Sequence, residues 1–195
     1  MKKILVTGFE SFGGEDINPS WEAVSRLPDE INGCKLVKMR IPVVFGLAAS
    51  TVIRVADETP FDAIICVGQA GGRSAITPEM VAINLRHATI PDNEGNEPKD
   101  ERISAGGPAA YFSTLPVRSI SEVISSLGIP SQVSYSAGAY VCNDLLYALL
   151  ERYRETDVKV GFIHVPYSTE QNKEPSMSMD TMIKGLTAAI DCAVG

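Results

Sequence analysis

The chain has 195 residues, 45% of them apolar and 21% charged, enough to bury a substantial core as one domain without disulfides or metal. A net charge of −7 with dispersed Lys and Arg argues against nucleic acid as a partner, since phosphates reward clustered cations. No stretch reaches the about 20 apolar residues of a membrane span, and Ile4 to Val6 is too short for the apolar core of a signal peptide, so a cytoplasmic protein with no membrane partner is expected.

Lys3 to Thr7 is a short apolar run closed by Gly8, the pattern of a buried strand. Asn18-Pro19-Ser20 predicts a helix start: Asn as N-cap, Pro in the first turn, then Trp21, Ala23, Val24 and Leu27 at helical spacing. A second strand is expected over Lys35 to Val43 and a second helix over Leu47 to Glu58, stopped by Pro60. Ala63 to Val67 is the next buried strand, and Met80 to Leu85 is expected to pair in the same sheet. From His87 to Pro108 the composition turns to Pro, Asp, Asn, Gly and charge; so long a loop is functional, mobile or a tolerated surface excursion. Helical periodicity returns at Val117 to Leu127 and at Asn143 to Tyr153, with strand-like Gln132 to Ser136 between them. Lys159 to Val165 is the last buried strand and Met179 to Ala193 a terminal amphipathic helix. The alternation predicts one α/β domain over residues 1–195, a three-layer α/β/α sandwich around a mostly parallel or mixed sheet.

Open sheets of this kind place their sites beyond the carboxyl ends of the strands. Four cysteines occur, Cys34, Cys66, Cys142 and Cys192, without C-x-x-C or any metal-ligand spacing; free thiols and no cofactor are expected. Cys142 stands apart because Gly138 allows a sharp turn before it and a helix begins beside it. A helix N-terminus should lower the thiol pKa and offer N–H groups to an oxyanion. The competing reading is a buried structural thiol, as expected for Cys66 in mid-strand. A catalytic thiol needs a base and a group to orient that base. Only His87 and His164 are available; His164, at a strand end, is the better partner, although a lone strand histidine also fits the core. For the third group Glu79 competes with Asp92 and Glu10.

Five segments, in this order, resemble the pyroglutamyl peptidase type I family, also called pyrrolidone-carboxylate peptidases. They are V-T-G-F-E-S-F-G-G-E-D-I-N-P-S-W at Val6 to Trp21, V-G-Q-A-G-G-R-S-A-I-T-P-E at Val67 to Glu79, I-P-D-N-E-G at Ile90 to Gly95, S-A-G-A-Y-V-C-N at Ser136 to Asn143 and F-I-H-V-P at Phe162 to Pro166. The resemblance implies a phosphorylase/hydrolase-like fold, a Cys142–His164–Glu79 triad, no cofactor, a homotetramer, and peptides with N-terminal pyroglutamate as substrates. It also implies a lactam pocket in which Phe9 and Phe12 clamp the ring from a loop, Gln69 and Asn18 are polar contacts, and Tyr140, Val141 and Ile90 line the wall. One departure is Thr89, where the family pattern carries Arg; Arg86 or Arg73 would then take over that role.

Two other classes fit parts of the sequence. Gly68, Gly71, Gly72 and Arg73 could cradle phosphate in a nucleoside phosphorylase-like enzyme, although the segment lacks the Lys and Ser/Thr of a P-loop. Alternatively, Cys142 could be a reactive thiol in a non-catalytic small-molecule-binding or redox-sensing protein.

Overall fold

A computed structural model describes residues 1–195. Its main elements are β1 (Lys3–Phe9), α1 (Pro19–Ser25), β2 (Glu30–Ile31), β3 (Cys34–Ile41), α2 (Leu47–Glu58), β4 (Ala63–Gln69), β5 (Thr77–Pro78), β6 (Val81–Ile83), β7 (Ala110–Phe112), α3 (Val117–Ser126), α4 (Val141–Tyr153), β8 (Lys159–Val165) and α5 (Met179–Val194). Tyr167–Ser168 and Ser176–Met177 form a further short parallel pair.

Six strands make one sheet in the order β2-β3-β1-β4-β8-β5. The inner four run parallel, and β2 and β5 close the two edges antiparallel. Parallel strands must be covered on both faces, which is why β1, β4 and β8 read as nearly unbroken apolar runs rather than alternating ones. Successive residues of each strand serve opposite faces. Ile65, Val67, Ile163 and Val165 enter a cluster with α1, α3 and α5. Ile64, Cys66, Val160 and Phe162 enter a second cluster with α2 and α4. Each fully buried side chain of this size contributes about 1.5–3 kcal/mol over its exposed state, so the sheet is held from both sides. The expected α/β/α layering with a mixed, mostly parallel sheet is therefore what forms. No helix is long and apolar enough to cross a membrane.

Two expected strands fall outside this sheet. Val81–Ile83 pairs antiparallel with Ala110–Phe112 in a separate two-stranded sheet. Gln132 to Ser136 makes only isolated contacts beside β5, at Ile76 with Ser131 and Glu79 with Ser134. The strand expected over Lys35 to Val43 ends at Ile41, before Pro42, and the one expected over Ala63 to Val67 extends through Gln69. No strand precedes Cys142; a loop containing Gly138 at φ +79° leads directly into α4.

Candidate active site

A cavity of about 420 Å³ opens over the carboxyl ends of β1, β4 and β8. Phe9 ends β1, Gln69 ends β4 and His164 is the penultimate residue of β8; all three reach its wall, together with Cys142 from α4.

The placement of Cys142 follows from its helix. Val141 is the first residue of α4, and Tyr140 provides no side-chain cap. The opening N–H groups of a helix lack intrahelical acceptors, so those of Val141, Cys142 and Asn143 face the cavity end of α4. Side chains further along pin this first turn. Asn143 is fully buried; its Oδ1 accepts from Ile83 N at 2.9 Å, and its Nδ2 donates to Ile83 O at 2.9 Å and Leu85 O at 3.0 Å. Asp144, also fully buried, accepts from Arg86 Nε at 2.5 Å and from Gly46 N at 2.7 Å. The start of α4 is thereby tied to β6 and to the start of α2.

Glycine at position 68 is required for the thiol to sit where it does. A methyl group there would lie 3.1 Å from Cys142 Sγ and 2.6 Å from the Phe162 ring. Gly68 is in register with His164 on the neighbouring strand. Residues 66, 68, 162 and 164 share the sheet face covered by α4, so the imidazole and the thiol lie on the same side.

His164 is 3% exposed and its Nδ1 lies 2.6 Å from Glu79 Oε1. An ionised carboxylate only accepts, so Nδ1–H donates and Nε2 is left free on the cavity side. Glu79 is fully buried and also accepts from Arg73 Nη1 at 2.7 Å. Arg73 donates further to Thr77 Oγ1 at 2.6 Å and to Ser136 O at 3.1 Å. Burial opposes ionisation of Glu79, but the hydrogen bonds from His164 and Arg73 outweigh it and hold the carboxyl below its ordinary range. The two rivals serve elsewhere. Asp92 accepts from the backbone of Glu94 and Asn96 in its own loop and of Phe45 just before α2, and Glu10 accepts from Asn93.

The thiol is not acidified as the helix start alone suggests. Burial, with the Glu79 and Cys66 charges adding to it, pushes Cys142 up to about 12, against smaller lowering by Arg73 and its own N–H. The half-dipole of one helix end is a weaker effect than loss of water around a mostly enclosed sulfur. Cys142 therefore rests as a neutral thiol. Cys66 is likewise pushed to about 12 by burial, in keeping with an inert packing role, and none of the four cysteines is paired.

The remaining wall is mostly apolar. Phe9, Phe12, Val43, Tyr140 and Val141 contribute to it, with the Phe12 and Tyr140 rings 6.4 Å apart and Phe45 edge-on to Tyr140 at 5.2 Å. Phe9 is not a loop residue as expected; it ends β1, is 2% exposed and packs on Phe162. Asn18 lines the cavity while capping α1: its Oδ1 accepts from Ser20 N at 3.0 Å and its Nδ2 donates to Glu10 O at 2.9 Å. Gln69 Oε1 accepts from Gln171 at 2.9 Å. Ile90 stands outside the wall, 45% exposed. Thr89 is exposed, Arg86 is taken up by Asp144, and of the two arginines weighed for the missing Arg only Arg73 borders the cavity.

The loop from His87 to Pro108 carries no regular element but is internally bonded. Asp92 organises its turn, Asn93 donates to Glu10 and Ser11 O, and Tyr140 Oη donates to Pro91 O at 2.9 Å. His87 pairs with Asp100 there, away from the thiol. The Gly68–Arg73 turn is not an open phosphate cradle, because a methyl group at Gly71 would meet Tyr167 Oη at 2.2 Å and Arg73 is turned toward Glu79. Sequence reading missed Asn143 and Asp144, whose partners lie about sixty or more residues away in the chain.

Comparison with known proteins identifies the family. The profile of the family described as pyroglutamyl peptidase matches residues 2–195. The pyrrolidone-carboxylate peptidase of Lactobacillus helveticus is 48% identical over 98% of both chains, and that of Thermococcus onnurineus 49% identical over 96% of both. The crystal structure of Bacillus amyloliquefaciens pyroglutamyl peptidase I superposes with a TM-score of 0.94 at 48% identity, covering 99% of this chain and 97% of that one. The pyrrolidone carboxyl peptidase of Thermococcus litoralis superposes at 0.95 and 36% identity, covering 100% and 94%. With a buried imidazole–carboxylate pair beside a thiol, and likeness along its whole length, this chain belongs to the pyroglutamyl peptidase family of cysteine peptidases.

Proposed function

We propose that residues 1–195 act as one domain that hydrolyses the amide bond after an N-terminal pyroglutamyl residue, with Cys142 as nucleophile, His164 as general base and then acid, and Glu79 as the carboxylate that orients it. The observation that carries this reading is the unbroken series Arg73–Glu79–His164 ending, with a free Nε2, in the cavity that Cys142 also lines.

The lactam ring is flat and largely apolar, with one N–H and one C=O. Phe9, Phe12, Tyr140 and Val141 offer it apolar faces, and Gln69 and Asn18 polar contacts at the rim. His164 Nε2 takes the Cys142 proton as sulfur attacks the pyroglutamyl carbonyl. The S–C bond forms, and the negative oxygen is received by N–H groups at the start of α4. The C–N bond then breaks as His164 passes the proton to the leaving amine. Water, deprotonated by His164, hydrolyses the thioester and restores the thiol. Because Cys142 rests protonated, removal of its proton belongs to the attack rather than preceding it. Resemblance to the family supports a homotetramer as part of the same proposal, which light scattering of the purified protein tests.

Release of a chromogenic amine from a pyroglutamyl amide tests the chemistry. Wild-type turnover, lost in both Cys142→Ser and His164→Ala, is expected; turnover that survives in either variant refutes the assignment.

A further inference from the structure

A second groove adjoins the catalytic cavity, and the sheet order says what should occupy it. Its wall is made by Arg73, Thr77, Gln132, Ser134, Tyr135 and Ser136, and it shares Arg73 and Ser136 with the cavity. Across the sheet the strands run β1-β4-β8-β5. Phe9 at the end of β1, with Phe12 and Asn18 just beyond, forms the apolar end of the cavity. Cys142 Sγ lies against Gly68 on β4, His164 is on β8, and Thr77 is on β5. Acyl transfer imposes its own order: acyl group, nucleophile, proton donor to the leaving nitrogen, then the rest of the leaving group. The two orders coincide.

We infer that the groove beside β5 is the binding site for the leaving peptide, receiving the residues that follow pyroglutamate. This rests on the peptidase reading above and assigns a second half to the same site. The groove suits a peptide of uncharged character. Gln132 and Tyr135 are exposed, and neither the Gln132 amide nor the Tyr135 hydroxyl is used in a protein hydrogen bond. Arg73 spends Nη1 and Nη2 on Thr77, Glu79 and Ser136 O, leaving Nε–H for a peptide carbonyl. Its charge is matched by Glu79, so it adds no net pull on an acidic side chain. Tyr135, 61% exposed, presents a ring against which an aromatic or aliphatic side chain can pack. The wall is held in shape from within: Ser134 Oγ donates to Ser136 O at 3.1 Å, and Gly138 N donates to Ser136 Oγ at 3.2 Å. Arg73 does not isolate this role, because it also holds Glu79.

The test compares two substrates, pyroglutamyl amide, which leaves as ammonia, and a pyroglutamyl tripeptide with Phe as its second residue. Tyr135→Ala and Gln132→Ala are both surface changes. Each is expected to lower the tripeptide-to-amide ratio of kcat/KM by roughly three- to tenfold, through KM of the tripeptide, the size of one lost aromatic or hydrogen-bonded contact. A ratio unchanged in both variants, or a wild type with no preference for the tripeptide, overturns the inference while leaving the peptidase reading intact. A wild type that cleaves neither substrate overturns both.

Discussion

Asn143 offers the sharpest test of how the proposed nucleophile is held. Replacing it with Leu keeps the volume and removes the amide. Of its three partners, Ile83 O retains a bond from Leu85 N at 2.8 Å, but Ile83 N and Leu85 O lose the partner that Asn143 supplied at 2.9 and 3.0 Å. Each backbone group left unpaired out of water costs about 1–3 kcal/mol. Ile83 and Leu85 are only half-buried, so the lower part of that range applies to each, and the pair should cost about 3 kcal/mol. For a chain of this length that lowers Tm by roughly 6–12 °C. Urea unfolding at constant m gives the free energy directly. The neighbouring thiol should move as the first turn of α4 loosens, so kcat should fall by more than tenfold even where the variant is fully folded, on the order of the loss that a 1 Å misplacement produces. A stability loss under about 1 kcal/mol together with an unchanged kcat would refute the view that this side chain positions the nucleophile.

Arg73→Met removes one of the bonds that keep Glu79 ionised against burial. The carboxyl pKa, now below its ordinary value, should rise; the ionised form stabilises the fold above the unfolded pKa and is lost as pH falls through the folded one. The acid limbs of kcat/KM and of the urea midpoint should therefore both move to higher pH, with a loss near neutrality of about 1–2 kcal/mol, discounted because Arg73 is 29% exposed. Glu79→Gln should lower kcat about 10²–10⁴-fold with little change in KM; a loss expressed mainly in KM would show that Glu79 acts on binding instead. With its thiol pushed up to about 12, Cys142 should alkylate with iodoacetamide at a rate that climbs with pH without levelling off below about pH 10. A plateau near neutrality would mean a preformed thiolate.

Legibility in the sequence tracked how local each determinant is. Leu47–Glu58 and Lys159–Val165 could be read to the residue, because an apolar face or an apolar run bounded by Pro needs no distant partner to be recognised. Met80 to Leu85 was strand-like but not a member of the main sheet. Its pairing with Ala110–Phe112 is decided across a loop of more than twenty residues, and nothing in the segment itself expresses that choice. At the site, the helix start at Cys142 and the strand-end position of His164 are visible in the sequence, whereas Glu79 competes there with Asp92 and Glu10 and is singled out only by the family resemblance. Its burial and its bond to His164, 85 residues away, are purely tertiary. The acidified thiol that the helix start predicts is overturned for the same reason, since a helix N-terminus is local and the enclosure of the sulfur is not.

Under the mechanism proposed above, the charge arrangement accounts for how a thiol this reluctant to ionise would serve as nucleophile. At rest the charges of Arg73 and Glu79 offset each other and Cys142 stays neutral. A thiolate formed alone would face Glu79 across a poorly solvated space, and that repulsion contributes to its raised pKa. Moving the proton from sulfur to His164 Nε2 creates both charges at once. The positive charge would then arise on His164, whose ring is in contact with the Glu79 carboxylate at 2.6 Å. The same carboxylate thus disfavours thiolate in isolation and favours the thiolate–imidazolium pair. In the proposed mechanism, proton transfer would thereby be coupled to attack, and the sulfur would stay unreactive until a carbonyl is in place to receive it.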